Sequence, residues 1–274
     1  MDLAAIKAKL DALNNQGNTQ DKVDYSKLFW KPELGKKTIR IVPSAYNPSF
    51  PFTELRFHYL ISKFPLLSLS NFGKQDPVEE FIKELKRTSK DKEDWSLAGK
   101  LTPKTRIFAP IIVRGEEEKG VRLWGFGVTI YKALLALAED EDIGDFTDVM
   151  TGWDLVVEQQ KGNPYPETSV RIKPKQSPLS DDKKQVELWL KEQPNPLESF
   201  NQYDYEFIKT RLQAYINPSE EGEIPTKDPE PASEENSTGL PESDIKGDEE
   251  FDLEMPVKKG KKSATDKFDD LFNE

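Results

Sequence analysis

The chain has no cysteine and a single histidine, His58, among its 274 residues. Disulfides and thiolate metal sites are thereby excluded, and one imidazole leaves little from which to build a Ser/His/Asp triad. No apolar run approaches the roughly 18 residues that a membrane-spanning helix needs. The opening MDLAAIKAKLDAL carries charges where a secretory signal has its apolar centre, so neither export nor membrane insertion is expected. A phosphate-cradling GxxxxGK[ST] loop and a Gly-rich dinucleotide turn are both missing. Glu116, Glu117, Glu118, Asp140 and Asp142 fall in loops with no second carboxylate cluster on a strand beside them, a poor basis for a metal-dependent nuclease. The chain is therefore expected to be non-catalytic.

What the chain does have is acid, unevenly placed. Fifty acids against 39 bases leave a net charge of −11. Residues 217–274 hold 18 acids and 7 bases, so the whole excess lies there, and 32 acids balance 32 bases in residues 1–216. The low pI belongs to the tail and not to the body. Rich in Glu, Pro, Ser and Asp, residues 217–262 are expected to be disordered. The chain then ends in KFDDLFNE, where Phe268, Leu271 and Phe272 stand among Asp269 and Asp270. An acidic, aromatic tip on a long tether suits docking to a partner; the competing account is a plain solubilising tail.

In the body, Leu3, Ile6, Leu10 and Leu13 make a narrow helical stripe, followed by the polar linker 14–21 (NNQGNTQD). So short a helix is marginal alone and is expected to dock in cis or on a neighbouring copy. Residues 36–43 (KKTIRIVP) and 52–62 (FTELRFHYLIS) read as strands. Asp76, Pro77 and Glu79 predict a capped helix start and a capping box, with Val78, Phe81, Ile82 and Leu85 as its apolar positions. Residues 86–94 read as charged and exposed. A helix is expected over 129–138 and an acidic loop over 139–148. Strands at 153–159 and 168–175 flank KGNPYPE, with Tyr165 at the tip and Arg171, Lys173 and Lys175 alternating along one face; amphipathic helices follow at 181–192 and 197–216.

The densest weave of cations, rings and β-branched residues lies at 100–137. RIFAPIIVR (106–114) and VRLWGFGV (121–128) are apolar runs of strand length around GEEEKG, the pattern of a hairpin. By the two-residue period Arg122, Trp124 and Phe126 share a face, as do Arg106, Phe108, Pro110, Ile112 and Arg114. Cations beside exposed rings bind single-stranded nucleic acid, because every base has a π face and every nucleotide a phosphate. Gly125 and Gly127 would admit a backbone or a nucleotide. The competing account places these aromatics in the core, where most strand aromatics lie. Short strands, two hairpins and peripheral helices predict an α+β protein: an OB-fold-type β-barrel core over 22–216 with added helices, preceded by the helix and linker at 1–21 and followed by the tail at 217–274.

Taken together, GKKTIRIVPS at 35–44, the KTRIFAPIIV/VRLWGFGVTIYKAL hairpin, the Trp153 strand with its Tyr165 loop and the terminal FDDLFNE resemble the single-stranded-DNA-binding (helix-destabilising) protein family of T-even-type phages. The resemblance implies cooperative, largely sequence-independent coating of single-stranded DNA in phage replication, recombination and repair, in the host cytoplasm. It implies a cleft at Arg40, Phe108, Trp124, Phe126 and Tyr165, with Lys36, Lys37, Lys104, Arg106, Arg122, Arg171 and Lys173 meeting phosphates. Self-association through the first helix and recruitment of phage replication and recombination proteins by the tail are likewise implied. Ile107 stands where the family tends to have an aromatic. The family commonly holds zinc with one His and three Cys in the segment matching residues 58–86; here only His58 is present, so no zinc and no other cofactor is expected. The family's N-terminal basic and hydroxyl motif is also missing from MDLAAIKAKL.

Overall fold

The computed structural model describes residues 25–163, 165–217 and 263–272. The expected first helix and linker, and residues 218–262 of the expected tail, lie outside them. In chain order the elements are α1 (Tyr25–Leu28), β1 (Phe29–Trp30), β2 (Gly35–Ile41), β3 (Thr53–His58), β4 (Leu66–Leu67), α2 (Pro77–Thr88), α3 (Lys92–Leu101), β5 (Lys104–Val113), β6 (Arg122–Phe126), α4 (Val128–Glu139), β7 (Trp153–Gln160), β8 (Glu167–Gln176), α5 (Lys183–Lys191), α6 (Tyr205–Ile216) and α7 (Ala264–Phe272). None of the described helices is long and apolar enough to cross a membrane.

The protein is α+β, built on an eight-stranded sheet of order β1-β6-β5-β2-β7-β8, with β3 joined to β5 and β4 joined to β3. β5 is the hub. One edge pairs with β6 from Ile107 to Ile111. The other edge is shared: β3 takes its first half, from Lys104 to Phe108, and β2 takes Ile111 to Val113. No described pairing returns β8 to β1, so the sheet path stays open where a barrel was expected. The end strands explain this: β1 has only two residues, and β8 carries Arg171, Lys173 and Lys175, the charged residues typical of a protected edge.

Both faces of the sheet's central strands are covered. Ile107, Ala109, Ile111 and Val113 face one core with Trp124, Phe126, Leu155 and the α4 residues Ile130 and Leu134. The alternate residues face two others: Phe108 lies with Phe29, Phe57 and Phe200, and Ile112 with Val121, Leu179 and Trp189 of α5. A fourth cluster unites Leu66, Leu69, the α2 residues Val78, Phe81, Ile82 and Leu85, Leu101 of α3, Ile208 and Leu212 of α6, and Phe268 of α7.

Two helix boundaries differ from the sequence pattern. α3 begins at Lys92, inside the stretch expected to be merely charged, and buries only Ala98 and Leu101, too few apolar positions to announce a helix. α6 begins at Tyr205 behind the cap Asp204, because Phe200 leaves the helical path to enter the Phe57–Phe108 cluster.

Asp76 ties the helical layer to the sheet. Oδ1 accepts from the Val78 and Glu79 N–H groups at 3.0 and 3.3 Å, the expected N-cap. Oδ2 meets His58 Nε2 of β3 at 2.9 Å and accepts from the Ser68 hydroxyl at 2.8 Å and the Leu69 N–H at 2.9 Å. The capping box is incomplete, since the Glu79 carboxylate reaches Ser68 and Arg56. Burial alone would raise the Asp76 carboxyl; His58, Ser68 and Leu69 outweigh it and hold it below its ordinary 3.8. The folded-state pKa is depressed, so this stabilisation is complete above about pH 4 and is lost as pH falls through the folded value. Asp76→Ala strands several buried donors and removes a cap, so it should cost about 2–4 kcal/mol in urea denaturation at pH 7. That penalty should shrink on acidification; a pH-independent penalty would contradict the assignment.

Candidate nucleic-acid interface

The twelve residues expected to meet DNA divide into an interior and a surface set. Phe108 is fully buried, with its ring 5.2 Å from that of Phe200 and 6.2 Å from that of Phe57. Trp124 is 1% exposed and packs 5.7 Å from Trp30 and 4.6 Å from Phe126, itself 2% exposed. These three rings are core residues and not an open stacking platform. The two-residue period had sorted them onto faces correctly; both faces are covered. The close approach anticipated at Gly125 is also internal: a Cβ there would stand 2.8 Å from Phe108 Cε1, on the paired residue of the neighbouring strand.

Three cations are interior as well. Arg40 is fully buried, pairing with Asp154 at 3.2 Å and donating to the Ser177 carbonyl. Asp154 also receives Arg114 at 2.9 Å, so this cluster braces β2, β5 and β7. Desolvation lowers the Arg40 pKa, which Asp154 partly offsets. Arg106, 3% exposed, points a guanidinium N–H at the Gly125 carbonyl at 3.4 Å. Arg122, 5% exposed, binds Glu116 at 2.9 Å.

Glu116 is a hub that the sequence concealed. Its carboxylate receives Lys119 at 2.9 Å, Lys37 at 3.1 Å and Arg122 at 2.9 Å, and these bonds, Lys119's first, pull its pKa down to about 2. In the sequence it is one of three glutamates in a loop, and Lys37 lies 79 residues away. Nothing local could have singled it out.

The surface set is Lys36, Lys104 and Arg171, which are exposed, with Lys37, Tyr165 and Lys173 half-buried. Lys104 opens β5 opposite Phe57 of β3 and stands apart from the rest. Lys37 stands opposite the core residue Val157 and turns to Glu116; Lys36, Arg171, Lys173 and Tyr165 lie on β2, β8 and the β7–β8 tip. Lys36 is opposite Glu158, which is opposite Ser169, and Arg171 is opposite Val156. Val170 and Ile172 turn to the core, so Ser169 and Arg171 face outward. Lys175 and Lys161 on the same hairpin are also exposed, Tyr165 sits at its tip, and Lys36 meets Glu158 at 3.4 Å. The hairpin thus carries several surface cations and one aromatic residue, with the acids Glu158 and Glu167 among them. A separate concavity of about 610 Å³ is lined by Arg114 but also by Glu117, Glu118, Asp154, Asp181 and Asp182, which repel a phosphodiester.

Residues 33–216 match the profile of the family described as gp32 DNA binding protein like. The chain belongs to that family. No curated protein sequence matches it. The matched span begins before β2 and ends with α6, so it covers the sheet, the cationic hairpin and the helical layer. Membership shows DNA binding as the chain's activity class. The zinc implied by the family resemblance does not fit. His58 Nε2 is engaged by Asp76, whose oxygens are filled by other donors; the chain has no thiolate, and no group of three metal-binding side chains is assembled among the described residues.

The residues expected to dock partners are also placed. Phe268 is 1% exposed within α7, Phe272 is half-buried, and Asp269, Asp270 and Leu271 are exposed. The tip is thus seated on its own helical layer.

A buried ring and a surface cation predict opposite phenotypes. Trp124→Ala should lower stability by about 3–5 kcal/mol in denaturant titration. Arg171→Ala should change stability by no more than about 0.5 kcal/mol. A Trp124 variant of unaltered stability would return that ring to the interface.

Proposed function

We propose that the protein coats single-stranded DNA cooperatively and with little sequence preference, serving phage DNA replication, recombination and repair in the host cytoplasm. Carrying this reading are the surface cations Lys36, Arg171, Lys173 and Lys175 and Tyr165 of the β2 and β7–β8 region, set on a formally neutral body in a chain of a DNA-binding family. The way β5 shares one edge between β2 and β3 is in keeping with an OB-type core, in which one strand bridges two parts of a curled sheet. Backbone charge supplies most of the affinity, and Tyr165 offers a base one stacking surface. No metal takes part, and no catalytic step is assigned. Residues 1–21 are proposed to link neighbouring copies. The acidic residues of 217–274 compete with DNA for the cationic face and recruit replication and recombination proteins.

A second reading has an observation in its favour. If the rings belong to the core, as their burial has it, the chain could act as a non-catalytic scaffold through its acidic tail. Fluorescence anisotropy of labelled oligo(dT) and of matched duplex, at low and moderate salt, separates the two. The coating reading expects tight single-strand binding, weaker duplex binding, and a log–log salt slope of about −0.7 per phosphate neutralised. Lys36→Glu with Arg171→Glu should weaken binding at least about tenfold and flatten that slope, and Tyr165→Ala should remove about 1–3 kcal/mol without loss of stability. Absence of single-strand binding at low salt would leave the scaffold reading.

A further inference from the structure

The groove that holds α7 is a built receptor. Ser263 and Asp266 cap the helix reciprocally: the Ser263 N–H donates to Asp266 Oδ2 at 2.8 Å, and the Asp266 N–H donates to Ser263 Oγ at 3.1 Å. Phe268 enters the α2/α3/α6 cluster, its ring 5.9 Å from Phe81 and 4.7 Å from Phe272. Lys209 of α6 lies 5.3 Å from the Phe272 ring centroid and donates to the Phe272 carbonyl at 3.2 Å. Lys267 pairs with Asp94 of α3. Apolar insertion, a cation over a ring and an ion pair together specify this nine-residue helix, which is too short to persist alone in water.

We propose that this groove also accepts α7 of a second copy, so that neighbouring molecules are tied together by exchanged last helices. Two observations carry the idea. The occupant is defined by the structure itself, as a sequence every copy possesses. And 45 residues, 218–262, separate it from Asn217 at the end of α6. Their covalent reach, up to about 150 Å, is several times the width of a domain of this size. Such a connection does not oblige the helix to return to the molecule it came from. With one buried ring and one ion pair at its centre, the contact is small enough to open and re-form. In dilute solution the tether favours the chain's own groove by raising the local concentration; where copies crowd together, a neighbour's groove becomes an equal competitor. The inference does not depend on DNA binding, because exchange needs only proximity.

The absence of cysteine makes the test clean, since a single introduced thiol carries the only label. One full-length chain carries a donor at Lys83→Cys on α2 and the tail-disabling Phe268→Ala, leaving its groove free. A second carries an acceptor at Asn273→Cys and the groove-disabling Asp94→Lys, which repels its own Lys267. On mixing, sensitised acceptor emission should exceed, by at least about fivefold, that of a pair in which the acceptor chain also bears Phe268→Ala. Lys209→Glu replaces Asp94→Lys as an independent way to disable the groove, should the first variant fold poorly. Wild-type-tailed chains should show the same transfer when crowded on oligo(dT). No transfer in the complementing pair, with both groove variants, would overturn the exchange. Transfer without DNA but no gain on oligo(dT) would keep the exchange and count instead against cooperative coating.

Discussion

Everything in this fold hangs on β5 being buried on both faces and hydrogen-bonded along both edges. Every residue from Arg106 to Val113 is buried, and the strand is held by β6 on one side and by β3 and β2 in succession on the other. A strand in that position cannot present side chains to a ligand. It can only transmit order from the α4 side of the sheet to the Phe57–Phe200 and Trp189 clusters on the other. The aromatic and aliphatic richness of the central hairpin is therefore spent on cohesion. Gly125 shows how tightly: its missing side chain is the space that the Phe108 ring fills.

The same burial divides the cations. Of those that point inward, Arg40 and Arg114 pair with Asp154 and Arg122 with Glu116, while Arg106 turns a guanidinium N–H to the Gly125 carbonyl. Those on the β7–β8 hairpin and the adjoining edge of β2 keep their charge at the surface, opposed mainly by Glu158. The formal charges of residues 1–216 cancel, so this segregation puts cations on the surface without a net positive body.

The helical layer depends on two small polar devices. Asp76 binds β3, the Ser68 turn and the start of α2 into one hydrogen-bonded knot, and Phe64 and Leu66 pack alongside the α2 cluster. α7 closes the layer from the far end of the chain through Phe268, Lys267 and Lys209. The aromatic tip that reads as a docking peptide is here a piece of the core, and its exposed acids are what remain on view.

Much was legible from residue order alone. The strand at β2, the two hairpins, the Asp76 cap and the sets of side chains that share a face of the central strands all follow from local periodicity and capping chemistry, which act over a few residues. The confinement of the net charge to the tail is a matter of counting, and the family resemblance rested on short motifs in a fixed order. Other features were decided only by the tertiary structure. Whether Trp124 and Phe126 face solvent depends on α4, Trp30 and Phe52 covering them, and whether Arg40 is a ligand or a brace depends on Asp154, 114 residues away. Alternation along a strand tells which side chains share a face. Whether that face is wet depends on what packs over it, and that is settled by contacts between residues far apart in the chain.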